Sequence, residues 1–243
     1  MTSGSPGTAG SAAPPEPDVS RGKLRGRSRS AVRAALLGML RPGIGLRIEG
    51  LENIPAEGPL LVAANHVHNA DPVLLAAAFP RELHFMAKKE LFETPVVGPL
   101  VDWCGGFPVD RGAADRAAIR QAEAVLAQGK ALAMFPEGTR SPSGVLQEAQ
   151  PGAGLILLRS GAPLLPVGII GTSGLPGNGA KGGTAREPGP RRVTVRFGQP
   201  VTIAPAPGER LSSRDAAARI MKEIAALLPE DSRAGSPYSS GSN

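Results

Sequence analysis

Cysteine is almost missing from this 243-residue chain: Cys104 stands alone, which excludes an intrachain disulfide framework and is compatible with a reducing compartment. Histidine is scarce too, with His66, His68 and His84 the three present, so a metal centre has few nitrogen ligands to draw on. Aromatic residues make up 3% of the chain and none falls before Phe79, so the basic N-terminal stretch has no side chain on which to stack a nucleic-acid base. No apolar run reaches the roughly 20 residues that a bilayer span needs. Ala31 to Leu40 is apolar except for Arg33, and it sits behind a Gly/Pro/Ser-rich tail, too far inside the chain for an ordinary secretory signal.

Glycine and proline are plentiful, at 32 and 25 residues, but they gather at the two ends and in one internal loop, so the middle reads as globular. Charge is just as uneven. The chain carries +6, of which residues 1–41 hold +5: Arg21, Lys23, Arg25, Arg27, Arg29, Arg33 and Arg41 against Glu16 and Asp18. A near-neutral body with a basic arm suits an anionic surface, and anionic lipid attracts about 1 kcal/mol per basic residue near the headgroups. Val32, Leu36, Met39 and Leu40 form one apolar stripe flanked by Arg29, Arg33 and Arg41. Such a helix lies in a membrane interface or packs on the domain, and both readings stand. The expected organisation is a disordered basic arm over 1–28, an amphipathic helix over 29–41, a single α/β domain over 42–230 and a disordered tail over 231–243.

Within the domain, short apolar runs alternate with helical stretches. Leu60–Ala64, Leu83–Ala87, Gly106–Val109, Ala131–Phe135, Leu164–Ile170 and Arg192–Phe197 are predicted strands. Pro72–Ala78, Val96–Cys104, Ala114–Gln128, Gly152–Ser160 and Ser213–Leu228 are predicted helices. The alternation argues for an α/β sheet with helices on its faces, its early strands buried on both sides. Residues 171–191 read as a flexible loop. Its Gly177-Asn178-Gly179-Ala180-Lys181-Gly182 has dinucleotide-fingerprint spacing, but no helix opens after Gly182 and Pro188 and Pro190 follow.

Two stretches carry chemistry. In Asn65-His66-Val67-His68-Asn69-Ala70-Asp71-Pro72, His66 emerges at the end of a buried strand, the edge where open α/β sheets place ligands. Imidazole accepts a proton near neutral pH, and a carboxylate five residues on can fix its tautomer. Asp71-Pro72 equally reads as a plain helix start, with aspartate as N-cap. His66, His68 and Asp71 also offer a metallohydrolase-like ligand set. In Phe135-Pro136-Glu137-Gly138-Thr139-Arg140, a turn opened by glycine presents two charges: Arg140 suits a phosphate and Glu137 a hydroxyl group. The same turn with a surface Arg–Glu pair would be worth little.

In order along the chain, these stretches resemble the blocks of the lysophosphatidic acid acyltransferase family. Asn65-His66 with Asp71 matches the family's histidine–aspartate block, and Phe135-Pro136-Glu137-Gly138-Thr139-Arg140-Ser141 its third block. Phe107-Pro108-Val109-Asp110-Arg111 and Leu165-Pro166-Val167 are looser matches to the second and fourth, and Ala87-Lys88-Lys89-Glu90-Leu91 is similar to a stretch between the first two. The resemblance covers roughly residues 45–205. It implies a mixed, largely parallel sheet covered by helices, with His66 as general base and Asp71 as its partner. Arg111, Glu137, Gly138, Thr139 and Arg140, with Lys88 at the same mouth, would hold the glycerol phosphate.

The implied reaction moves a fatty acyl group from acyl-CoA or acyl-carrier protein to the sn-2 hydroxyl of a 1-acylglycerol 3-phosphate, giving phosphatidic acid, with no cofactor and no metal. The implied place is the cytoplasmic face of the cell membrane, held peripherally by residues 21–41, with no nucleic-acid partner. One departure stands out. Glu148-Ala149-Gln150-Pro151-Gly152 lacks the basic residue that many relatives carry there, so another lysolipid acceptor is left open. A zinc hydrolase and a noncatalytic membrane-surface binder are the rival readings.

Overall fold

The structure is a computed structural model that describes residues 26–95, 97–109, 116–176, 192–205, 208 and 210–238. Arg111, the loop 177–191 and most of the basic arm lie outside the described residues, as does the side chain of Lys88.

The chain runs α1 (Gly26–Ile44), β1 (Arg47–Glu49), β2 (Leu60–Ala64), α2 (Asp71–Ala78), β3 (Leu83–Lys88), α3 (Lys89–Phe92), α4 (Val97–Trp103) and β4 (Gly106–Val109). It continues through α5 (Arg116–Ala127), β5 (Ala131–Met134), α6 (Pro151–Ser160), β6 (Leu164–Ile170), β7 (Thr194–Phe197), α7 (Ser213–Ala225) and α8 (Glu230–Arg233). The strands form one sheet in the order β1-β7-β6-β2-β5-β3-β4. Strands β6, β2, β5, β3 and β4 are mutually parallel, while β7 pairs antiparallel with β6 and carries β1 parallel to itself. The sheet is therefore mixed and largely parallel, with helices on its faces.

Strand periodicity explains why the central strands contain no polar residue. In β2, Leu60, Val62 and Ala64 join one core with residues of α1 and α2. The alternate Leu61 and Ala63 join a second core with residues of α5, α6 and α7. Both faces of β2 are covered, so both sets of side chains must be apolar. Each large apolar side chain taken out of water contributes about 1.5–3 kcal/mol before entropy is counted. On the second face α6 presses against α7 at Gly154, where a Cβ would meet the Ser213 carbonyl.

Two terminal elements differ from expectation. Helix α1 is longer than residues 29–41, and Pro42 lies inside it. Of its apolar stripe, Val32, Leu36 and Leu40 pack against the first core and Leu37 is buried, while Met39 is 66% exposed. Arg33 also donates to the Ala78 carbonyl of α2 at 3.1 Å. At the other end, the tail expected to be disordered from residue 231 instead folds through Tyr238. Helix α8 forms, Ser236 is buried, and Tyr238 packs on the second core. Its Ser- and Gly-rich composition hid these anchoring residues.

Candidate active site

Parallel strands all deliver their C-terminal ends to one edge of the sheet, so neighbours in the sheet become neighbours in the site. Strand β2 lies between β5 and β6, and β3 follows on the far side of β5. The segments after β2 and after β5 therefore meet, although 71 residues separate His66 from Glu137. Lys88, at the end of β3, reaches the same edge.

The histidine segment is organised by one oxygen. Asp71 Oδ2 accepts from the amides of Val67 at 2.7 Å and His68 at 2.6 Å, and lies 2.9 Å from His66 Nδ1. Asp71 is fully buried, and its Oδ1 has no hydrogen-bond partner among the described residues. A carboxylate already accepting two amides has only acceptor capacity to offer the ring. In the neutral ring, His66 Nδ1 therefore carries the proton and Nε2 keeps its lone pair. The carboxylate does not cap α2: its donors precede the helix, and Asp71 itself is the first helical residue, followed by Pro72 in the first turn. His66 keeps 16% of its side chain exposed, and its ring stacks on Phe135 at 4.2 Å between centroids. The ring is oriented on one side and open on the other.

The segment after β5 wraps the backbone of His66. The His66 amide donates to Glu137 Oε1 at 2.9 Å, and the Ser141 amide donates back to the His66 carbonyl at 2.8 Å. Glu137 Oε2 accepts from the Gln147 amide at 3.1 Å. The turn between them needs Gly138 at φ 72°, a left-handed conformation that side chains disfavour. A Cβ there would also come within 2.9 Å of Gln150 Cγ. Burial pushes the Glu137 carboxyl up to about 7, opposed by the amides of His66 and Gln147 and reinforced by the charge of Asp71.

Three expectations are refined by this geometry. Glu137 is only 2% exposed and gives both oxygens to backbone amides, so it faces the protein and not an incoming hydroxyl. Thr139 is exposed and Arg140 half-buried at the open end of the same turn, joined to His66 through the Ser141 amide. Leu165-Pro166-Val167 lies wholly inside β6, buried against β2, and serves the core. Neither the placement of Arg111 nor the Lys88 side chain falls among the described residues.

The ligand set His66, His68 and Asp71 is not assembled. His68 is buried and its Nδ1 accepts from the Ala70 amide at 3.0 Å. Among the described residues no three His, Cys, Asp or Glu side chains are grouped to hold a metal ion. Cys104 is buried, and burial pushes its thiol up to about 12, far from a ready nucleophile.

Sequence reasoning gave no role of their own to three residues that hold the site together. Asn65 extends the ladder between β2 and β6 with its side chain, donating to the Ile169 carbonyl at 2.9 Å and accepting from the Ile169 amide at 2.7 Å. Ser141 and Gln147 contribute main-chain amides, which leave no trace in residue type.

The sheet edge thus carries a histidine–aspartate pair and a glycine-opened turn that ends in an arginine, and the chain belongs to the acyltransferase family: the family model described as Acyltransferase matches residues 45–170, just over half of the chain. Its relatives narrow the neighbourhood. It is 32% identical to a 1-acyl-sn-glycerol-3-phosphate acyltransferase of Bacillus subtilis over 53% of this chain and 64% of that protein. It is 36% identical to one of Streptococcus pneumoniae over 59% of this chain and 50% of that protein. The fold is similar to the crystal structure of the 1-acyl-sn-glycerophosphate (LPA) acyltransferase PlsC from Thermotoga maritima, with TM-score 0.64 and 26% identity, covering 84% of this chain and 82% of that one. The matched region spans about half to just under two thirds of the length of these curated relatives.

Proposed function

We propose that this chain transfers a fatty acyl group from an acyl thioester, acyl-CoA or acyl-carrier protein, to the sn-2 hydroxyl of 1-acylglycerol 3-phosphate, forming phosphatidic acid. The observation that carries this reading is the buried Asp71 holding His66 Nδ1, which leaves Nε2 as a base beside the Arg140 turn. Nε2 takes the proton of the acceptor hydroxyl as its oxygen bonds to the thioester carbonyl carbon. The C–S bond then breaks, and the departing thiolate recovers the proton from the imidazolium. An ester and a free thiol result, with no covalent enzyme intermediate. Arg140 supplies charge for the acceptor phosphate, with Lys88 and Arg111 as further cations for it.

The test is acyl transfer to lysophosphatidic acid from each donor, read as thiol release, for the wild type and His66→Ala. Loss of about 10²–10⁴ in kcat with folding intact is the expected result. Equal rates would remove His66 as base. Activity on a different lysolipid alone would move the acceptor assignment.

The chain works, on this reading, at the cytoplasmic face of the cell membrane, held by the basic residues among 21–41. Among the described residues no helix is long and apolar enough to cross a membrane. Binding to anionic vesicles should weaken when Arg21, Lys23, Arg25 and Arg27 are replaced by Gln, most at low salt. Equal binding at every salt concentration would end the tether reading.

A further inference from the structure

Glu137 is an acidic side chain beside the base that the reaction above does not use. It is nearly inaccessible, and its two oxygens are committed to amides on different segments: His66 after β2, and Gln147 in the segment before α6. That second segment is itself held from outside. The Leu146 amide donates to the Ser232 carbonyl in α8 at 3.2 Å, and Tyr238 meets the Ala149 backbone. Leu146 is buried in the second core together with Leu228, just ahead of α8. A continuous set of contacts thus runs from the C-terminal segment through Leu146 and Gln147 to Glu137 and on to the His66 backbone.

Geometry decides what such a carboxylate does. Two amides on opposite oxygens need both as acceptors, which a carboxylate offers and an amide side chain does not. A ligand for the acceptor hydroxyl would instead need an open oxygen facing solvent. Resting on the reading of His66 as base, we propose that Glu137 is a positioning residue: a carboxylate bridge that sets the His66 backbone, and with it the ring, by locking the histidine segment to the segment braced by the C-terminus. It acts through His66 and does not touch the acceptor.

The experiment compares Glu137→Gln and Glu137→Asp with the wild type. Gln sets an NH2 group against one of the two amide donors, and Asp is one methylene too short to span both. Positioning errors near 1 Å cost about 10²-fold in rate. Each variant should therefore lose about that much in kcat, while KM for lysophosphatidic acid stays within about twofold because the acceptor contacts survive. A rise in KM at unchanged kcat would make Glu137 an acceptor ligand and overturn the proposal. A second readout is independent of the acceptor: the ring N–H proton resonance of His66 in isotope-labelled protein. The bridge requires that resonance to shift or broaden in both variants, and an unchanged signal in either would also overturn it. Should the wild type transfer no acyl group, the functional reading fails, and this resonance alone still decides the role of Glu137. If Gln prevents folding, Asp carries both readouts.

Discussion

The segments after β2 and after β5 build the two halves of one site by opposite means. After β2 the parts are local: one carboxylate gathers a ring and two amides from the five residues before it. After β5 the parts are remote: Glu137 and Ser141 reach across to the backbone of His66, and the 145–149 stretch leans on α8. On the proposed reading the local half defines the chemistry, because Asp71 sets the tautomer of the neutral His66 ring. The remote half defines the alignment, because it holds the main chain that carries the ring. Damage to the first should abolish the base, and damage to the second should leave a base in the wrong place.

The largest effect separating the two halves belongs to Asp71→Asn. The replacement keeps the shape and an oxygen for the two amides and the ring, but it removes the negative charge that stabilises the imidazolium formed when Nε2 takes the proton, and it leaves an NH2 group in the buried place of Oδ1. kcat should fall by about 10²–10⁴ with acceptor KM little changed. Wild-type kcat in this variant would detach Asp71 from the mechanism. Next comes Arg140→Ala on the other half. Losing hydrogen bonds to a charged phosphate costs about 1.5–3 kcal/mol, so acceptor KM should rise by about 10–10²-fold with kcat nearly kept. Steady-state kinetics over a range of lysophosphatidic acid concentrations separates these outcomes, and an unchanged KM would remove Arg140 from the site.

The same contrast explains what was legible in the sequence. Strands β2 and β6 match their predicted spans because apolar runs covered on both faces signal themselves, and the edge strand β4 matches its span as well. His66 and Asp71 were legible because their relation is a short spacing within one turn. Strand β1 was not, since Arg47-Ile48-Glu49 is a three-residue pairing with β7 whose partner lies far along the chain. Glu137 was misread for a related reason: its partners are backbone amides of His66 and Gln147, and any residue but proline supplies an amide. The C-terminal segment looked like a tail because Ser236 and Tyr238 are two anchoring residues in a polar, Gly-rich background. Helix α1 was expected over 29–41 from its apolar stripe and flanking arginines, but it runs from Gly26 to Ile44 and places Val32, Leu36 and Leu40 against the first core.

The smallest expected effect concerns stability at the remote half. Folding raises the Glu137 carboxyl to about 7, chiefly by burial, above the ordinary carboxylate value it regains when unfolded. The folded state therefore holds this proton more tightly than the unfolded state does. The stability it contributes is full below about pH 4.3, the unfolded value, and is lost as pH rises through the folded one. Gln is neutral at every pH and mimics the protonated form. The melting temperature of Glu137→Gln relative to wild type should therefore climb between about pH 5 and about pH 8, in favour of the variant. A difference that does not vary with pH would show that Glu137 does not titrate in this window. The expected trend runs opposite to the kinetic one, since the ionised carboxylate that bridges both amides is the form that costs stability. A group retained at a stability cost while it improves the alignment of a base is what separates a positioning residue from a merely structural one.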